Sequence, residues 1–306
     1  MLAFIAPGQG AQTPGLLAPW ISDPAVKDLL TLWSREIDLD LVRLGTTADA
    51  DEIKDTANAQ PLIVAAGLLG ARVLGSSKLS VVAGHSVGEI TAAAIAGVID
   101  DVDAMKLVRA RGIEMAKAAA LKPAGMAAVL GGDREVVLRA ISELGLVAAN
   151  DNGGGQIVAA GDLDALAQLE PDGARVRALA VAGAFHTSYM QPAVEPLRAI
   201  AAGIEVHEPH IGVISNKDGA VLHDAREILD RIVAQISNPV RWDLCMTTLA
   251  KHVSGVLEVP PAGTLVGLLK RAVPIIETFA LKAAEDVTLA KEFIARHQDE
   301  PNHEEI

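Results

Sequence analysis

The sequence predicts an α/β fold: a parallel sheet covered by helices, interrupted by a smaller inserted unit. Three observations predict it. Short apolar runs alternate with helix-length stretches at both ends of the chain, the pattern of strands joined by crossover helices. Half of the 306 residues are hydrophobic but only 3% are aromatic, so the core must be built from Ala, Val, Leu and Ile. Between about residues 123 and 182 the order changes to strand, helix, two strands, helix and strand.

The first part reads as follows. "LAFIAP" (2–7) is a buried strand, and "AQPLIVAAGLLGARVLG" (59–75) is a helix with Pro61 in its first turn, where a missing N–H costs nothing. "KLSVVAG" (78–84) is the next strand. "DDVDAMKLVRARGIEMAKAAALK" (100–122) is a helix whose acidic start suits the helix dipole.

The inserted unit begins with strand 125–132 and helix 133–145, which Asp133 caps. Strands 146–150 and 156–161 form an antiparallel pair across the turn "DNGGG". Helix 162–170 and strand 174–181 complete a β-α-β-β-α-β order, the ferredoxin-like motif. The α/β pattern then resumes with strand 210–216, helices 225–236 and 240–252, strand 255–261 and helix 264–272. The domain division expected is 1–122 with 183–290 as the large domain and 123–182 as the small one. An acidic, solvated tail is expected at 291–306.

Composition excludes several roles. The formal net charge is −13, which argues against non-specific nucleic-acid binding. Cys245 is the only cysteine, so an intrachain disulfide and a metal–thiolate cluster are both excluded, in keeping with a reducing, cytoplasmic setting. The N-terminus lacks the basic start of a signal peptide, and no apolar run reads as long enough to span a bilayer. No metal and no bound cofactor are implied.

Gly84-His85-Ser86-Val87-Gly88 stands where a strand bends into an alanine-rich helix. The G-x-S-x-G pattern at such a junction is a nucleophile elbow: the glycines leave room for a sharp turn that exposes the serine hydroxyl. Main-chain N–H groups at the helix start then face any oxyanion that forms. A serine nucleophile needs a base. Of the eight histidines, His85 should point away along the turn, and His207, His210 and His223 read as surface residues. His186, in "VAGAFHTSYM" (181–190), follows the inserted unit where the chain returns to the main sheet; spacing favours it without deciding the matter.

Five stretches in order carry a family resemblance: "PGQGAQ" (7–12), "GHSVGE" (84–89), "RARGIEM" (109–115), "GAFHTSYM" (183–190) and "QISNPVRW" (235–242). The chain resembles the malonyl-CoA:acyl carrier protein transacylases, and the acyltransferase domains of polyketide synthases. The resemblance covers residues 2 to about 275. It implies an α/β-hydrolase-like large domain with a ferredoxin-like insertion. The implied reaction moves malonyl from CoA to the phosphopantetheine thiol of an acidic acyl carrier protein, with a monomer expected.

The resemblance also assigns roles. Ser86 is the nucleophile, His186 the general base, and the main-chain carbonyl of Gln235 orients the histidine. The N–H groups of Gln9 and Val87 form the oxyanion hole. Arg111 holds the malonyl carboxylate, a task for which the guanidinium fork is suited, and Gly112 beside it gives room for approach. Phe185 is the bulky residue that goes with malonyl rather than methylmalonyl, and Val87 also fits the malonyl type. "LEVPPAG" (257–263) departs from the family's Glu-Val-Gly-Pro-Gly, which bears on the cleft mouth. A serine esterase or thioesterase would use the same nucleophile and base, and a non-catalytic acyl-binding module would not need both.

Overall fold

The first strand, β1 (Leu2–Ala6), serves two cores at once. Leu2, Phe4 and Ala6 face one hydrophobic cluster. Ala3 and Ile5 face the other. Period-two alternation in a strand buried on both faces means a sheet sandwiched between helices. The computed structural model describes residues 1–75 and 78–298.

In chain order, β1 is followed by α1 (Pro24–Glu36), α2 (Leu41–Thr46), α3 (Thr56–Leu74), β2 (Val81–Gly84), α4 (Gly88–Ile95) and α5 (Asp101–Leu121). Next come β3 (Gly125–Gly131), α6 (Arg134–Glu143), β4 (Val147–Asp151), β5 (Gln156–Gly161), α7 (Leu163–Ala167) and β6 (Ala174–Ala178). The chain returns through α8 (Gln191–Ala201), β7 (Gly212–Ile214), β8 (Val221–Leu222) and α9 (Ala225–Gln235). It ends with β9 (Val240–Arg241), α10 (Trp242–His252), β10 (Gly255–Glu258), α11 (Thr264–Ala272), β11 (Glu277–Ala280) and α12 (Val287–Gln298).

Among the described residues, six strands form one sheet in the order β11-β10-β1-β2-β7-β8. Its pairings are parallel except β7 with β8. A second sheet runs β6-β3-β5-β4-β9. The expected antiparallel pair is present as β4 and β5, but the second sheet is not confined to 123–182. Val240–Arg241, expected as the start of a helix, is a short strand parallel to β4, and helix begins only at Trp242.

Other expectations are corrected in detail. Strand 255–261 ends at Glu258, because that side chain turns back to accept from the amides of Gly263 (2.9 Å), Leu265 (3.0 Å) and Val266 (3.0 Å). The departure from the family pattern thus lies in a loop organised around a buried carboxylate that caps α11. Residues 291–298, expected in the tail, continue α12; the remainder of that tail lies outside the described residues. By length and composition α3 could cross a membrane, contrary to the expectation, but 72% of the relevant window is buried inside the protein.

Helix α3 begins three residues earlier than expected, at Thr56, with Asp55 accepting from the Ala57 amide at 2.8 Å. Pro61 therefore sits in the helix interior, where it removes the N–H that would bond the Ala57 carbonyl. Arg109 of α5 supplies the replacement, donating from Nη1 to that carbonyl at 2.7 Å. The two helices can meet this closely because of Gly112. A Cβ there would lie 2.8 Å from Thr56 O and 3.0 Å from Ala57 Cα. The room beside Arg111 is thus filled by the backbone of α3, not by a ligand.

Gly112→Ala should consequently force α5 off α3. Overpacking of this kind costs about 1–3 kcal/mol, to be read as a lowered midpoint in urea unfolding with little change in slope. An unchanged midpoint would contradict the packing described.

Candidate active site

Four loops at the carboxyl ends of the central parallel strands line or support the site. This is where open α/β sheets place ligands. After β1 come Gly8 and Gln9; after β2, His85 and Ser86; after β7, Asn216; after β10, the loop leading to Thr264 and Leu265. The second sheet closes the other side with Met126, Asn150, Asn152 and Val158. The cleft between them encloses about 270 Å³.

The turn after β2 leaves no space for side chains. A Cβ on Gly84 would lie 1.9 Å from the carbonyl carbon of Gly88, and one on Gly88 would lie 2.2 Å from Ala6 O. Ser86 between them has φ 53°, and His186 has φ 61°. Among the described non-glycine residues only Asp38 shares this left-handed backbone. Such strain costs on the order of 1–3 kcal/mol per residue and persists where surroundings enforce it.

The two strained residues meet. Ser86 Oγ lies 2.7 Å from His186 Nε2. His186 Nδ1 lies 2.9 Å from Gln235 O. A carbonyl can only accept, so Nδ1 carries the proton and Nε2 is left to accept from the serine. His186 is further clasped by its own amide, which donates to Ile236 O at 3.0 Å. Both carbonyls belong to the C-terminal end of α9, where helix carbonyls lack intrahelical donors.

Arg111 is 1% exposed. Its Nη1 donates to Gln60 Oε1 at 2.6 Å, and its Nη2 to Gln235 Oε1 at 2.9 Å and Ser86 Oγ at 3.3 Å. Its Nε bonds no acceptor among the described residues. Burial lowers its pKa to about 10, with Glu89 acting in the opposite sense, so it is charged at neutral pH. Burial, with the Arg111 charge second, brings His186 down to about 3. The imidazole is therefore neutral and ready to accept a proton across the neutral range.

The remaining expected residues are placed around this pair or behind it. Gln9 and Phe185 line the cleft. The amides of Gln9 and Val87 bond no acceptor among the described residues, whereas the Ser86 amide is taken by Asn216 Oδ1 at 2.8 Å. The Val87 side chain is buried in the core. His85 turns from the serine toward Asn152 Oδ1, 2.8 Å away, with its ring edge-on to Trp242. Burial lowers the His85 pKa. His207 and His210 bond Val98 and Ala96 through their amides. No group of three or more His, Cys, Asp or Glu among the described residues is placed to hold a metal ion.

Sequence reasoning missed Gln60, Glu89 and Asn216. Glu89 is 3% exposed. It accepts from the Asn216 amide and from Gln235 Nε2. Burial pushes its pKa up to about 7, against the lowering effects of the Asn216 amide, Arg111 and Gln235. Its place inside "GHSVGE" was the one available signal, and an acidic residue in a helix's first turn reads as exposed.

The model of the acyl transferase domain family matches residues 3–300. A malonyl CoA-acyl carrier protein transacylase of Mycobacterium tuberculosis is 52% identical over 296 residues, covering 94% of this chain and 98% of the relative. The crystal structure of the Mycobacterium tuberculosis MCAT superposes with a TM-score of 0.92 at 51% identity, covering 95% and 99% of the two chains. A malonyl-transacylase solved in complex with a type II PKS acyl-carrier protein gives 0.88 at 32% identity, covering 95% and 99%.

The protonation of His186 is directly measurable. Imidazole nitrogen shifts should show a neutral ring with Nδ1 protonated at pH 6, below the ordinary histidine value of about 6.5. Replacing Arg111 by Ala removes a repelling charge and should move the titration upward. Since the unfolded chain takes up this proton below about 6.5 and the folded chain does not, His186 lowers stability as pH falls. Half-protonation near 6.5 in the unaltered protein would contradict the burial argument.

Proposed function

This chain belongs to the acyl transferase domain family, and we propose that it transfers malonyl from malonyl-CoA to the phosphopantetheine thiol of an acyl carrier protein, serving fatty acid or polyketide synthesis. The observation that carries this reading is the convergence of His186 and Arg111 on Ser86 Oγ, at 2.7 Å and 3.3 Å.

Ser86 Oγ attacks the thioester carbonyl carbon while His186 Nε2 takes its proton. The tetrahedral oxyanion is held by the Gln9 and Val87 amides, each donor of this kind being worth about 10²–10³ in rate. The C–S bond breaks, His186 returns the proton to sulfur, and CoA leaves with malonyl esterified on Ser86. The carrier thiol then attacks this ester, His186 takes the thiol proton, the C–O bond breaks and the proton returns to Ser86 Oγ.

Arg111 selects the acyl group. A malonyl carboxylate supplies an acceptor for its unpaired Nε and charge compensation for a buried cation. Acetyl supplies neither, and leaving such a charge unpaired costs about 3–5 kcal/mol. Phe185, 5% exposed in the cleft wall, opposes the additional methyl of methylmalonyl.

The strand order β6-β3-β5-β4 with α6 and α7 supports a ferredoxin-like unit of about 123–182. It is inserted in an α/β-hydrolase-like domain formed by 1–122 and 183–290. Arg175 and Arg177 are exposed on β6, which leads to the cleft residues Leu179 and Val181, and they suit an acidic carrier.

Intact-mass measurement with malonyl-CoA should show one malonyl adduct that Ser86→Ala abolishes. His186→Ala should slow its formation by about 10²–10⁴. Arg111→Ala should reduce malonyl loading several hundredfold relative to acetyl, about the 3–5 kcal/mol above. Rapid hydrolysis of the adduct without transfer to a supplied carrier protein would favour a thioesterase instead. Undiminished carrier loading by the Ser86→Ala variant would overturn the covalent route.

A further inference from the structure

The Gln235 amide is polarised by its surroundings. Its Nε2 sits among three acceptors: the Glu89 carboxylate, Ser86 O at 3.1 Å and Asn216 Oδ1 at 3.1 Å. Asn216 is itself fixed, donating from Nδ2 to Gly84 O at 2.7 Å while its Oδ1 accepts from the Ser86 amide. With the nitrogen held there, Gln235 Oε1 must point the other way, at Arg111 Nη2. Glu89 supplies the single carboxyl acceptor in this group, and its second oxygen is taken by the Asn216 amide.

We infer that Glu89 is a positioning residue for acyl selection: it fixes the Gln235 amide so that the oxygen, not the nitrogen, faces Arg111. Glu89 makes no hydrogen bond to Arg111 among the described residues. It therefore leaves the guanidinium, whose Nε bonds no acceptor among the described residues, without a protein carboxylate on it. Neutral amide oxygens from Gln60 and Gln235 hold the fork in place.

A glutamine at position 89 cannot do this. If its oxygen faces Gln235, its nitrogen meets the Asn216 amide donor. If its oxygen faces Asn216, its nitrogen meets Gln235 Nε2 and favours a flipped Gln235. The flip would aim an NH₂ group at Arg111 and leave Gln235 Oε1 against two oxygens.

The inference rests on the reading that Arg111 takes the acyl carboxylate, and one set of variants separates the two. Acyl-enzyme formation is measured on the full chain with malonyl-CoA and acetyl-CoA for the unaltered protein, E89Q, R111A and E89Q/R111A. E89Q should lower malonyl kcat/KM about tenfold, chiefly through KM, and change the acetyl reaction little. In the R111A background, E89Q should leave the malonyl-to-acetyl ratio unchanged. Equal loss for both substrates in E89Q would reveal a merely structural role and overturn the inference. A ratio unaffected by R111A would instead sink the Arg111 reading. Should E89Q lack a cooperative thermal transition, E89D takes its place. Its carboxylate stops one methylene short of Gln235, so the same loss of ratio is expected, and a retained ratio overturns the inference.

Discussion

Gln235 bonds to both parts of the site, and the arrangement depends on it. Its main-chain carbonyl fixes the tautomer of His186. Its side chain reaches Arg111 on one side and Glu89, Asn216 and Ser86 O on the other. Base orientation and the seating of the cation therefore share one residue at one helix end. Any shift of α9 would move both together, which is why the register of α9 against the strands matters more than any single side-chain contact.

The strands impose the complementary constraint. Gly84 and Gly88 bring the chain within a Cβ radius of itself and of β1, so the bend at Ser86 is determined by backbone packing. The same close approach ties β1 to β2, whose ends carry Gln9 and Ser86. Helices α3 and α5 meet in a similar way. Pro61 frees a carbonyl, Arg109 occupies it, and Gly112 lets the backbones close. That contact lies near Gln60 and Arg111, so an apparent defect in one helix becomes the joint that sets the cation's position.

Much of this was legible in the sequence where the cause is local. The G-x-S-x-G bend needs glycines for reasons visible within five residues, and helix α11 was read to the residue. The inserted unit's order was also apparent from alternation and the glycine turn. His186 was not decided by spacing, because its partnership with Ser86 spans a hundred residues; five ordered motifs supplied it. Gln60 and Asn216 were invisible for the same reason, and Glu89 nearly so: a buried polar residue is defined by partners distant in sequence. Strands β8, β9 and β11 and helices α1, α2, α8 and α12 went unanticipated. Some, such as β9, are too short for periodicity to register, and β11 is only partly buried, so its pattern is weak.

Helix α9 also accounts for how His186 is held without an acidic partner. Gln235 O and Ile236 O stand at the helix C-terminus, where carbonyls carry the negative end of the macrodipole, roughly half an elementary charge. That field favours the imidazolium formed during proton transfer, but less than a full carboxylate would. The Arg111 charge acts in the opposite sense. Burial, more than either charge, keeps His186 neutral at rest. The neutral orienting carbonyl and the absence of a carboxylate hydrogen-bonded to Arg111 go together: among the described residues neither His186 nor Arg111 bonds an acidic side chain.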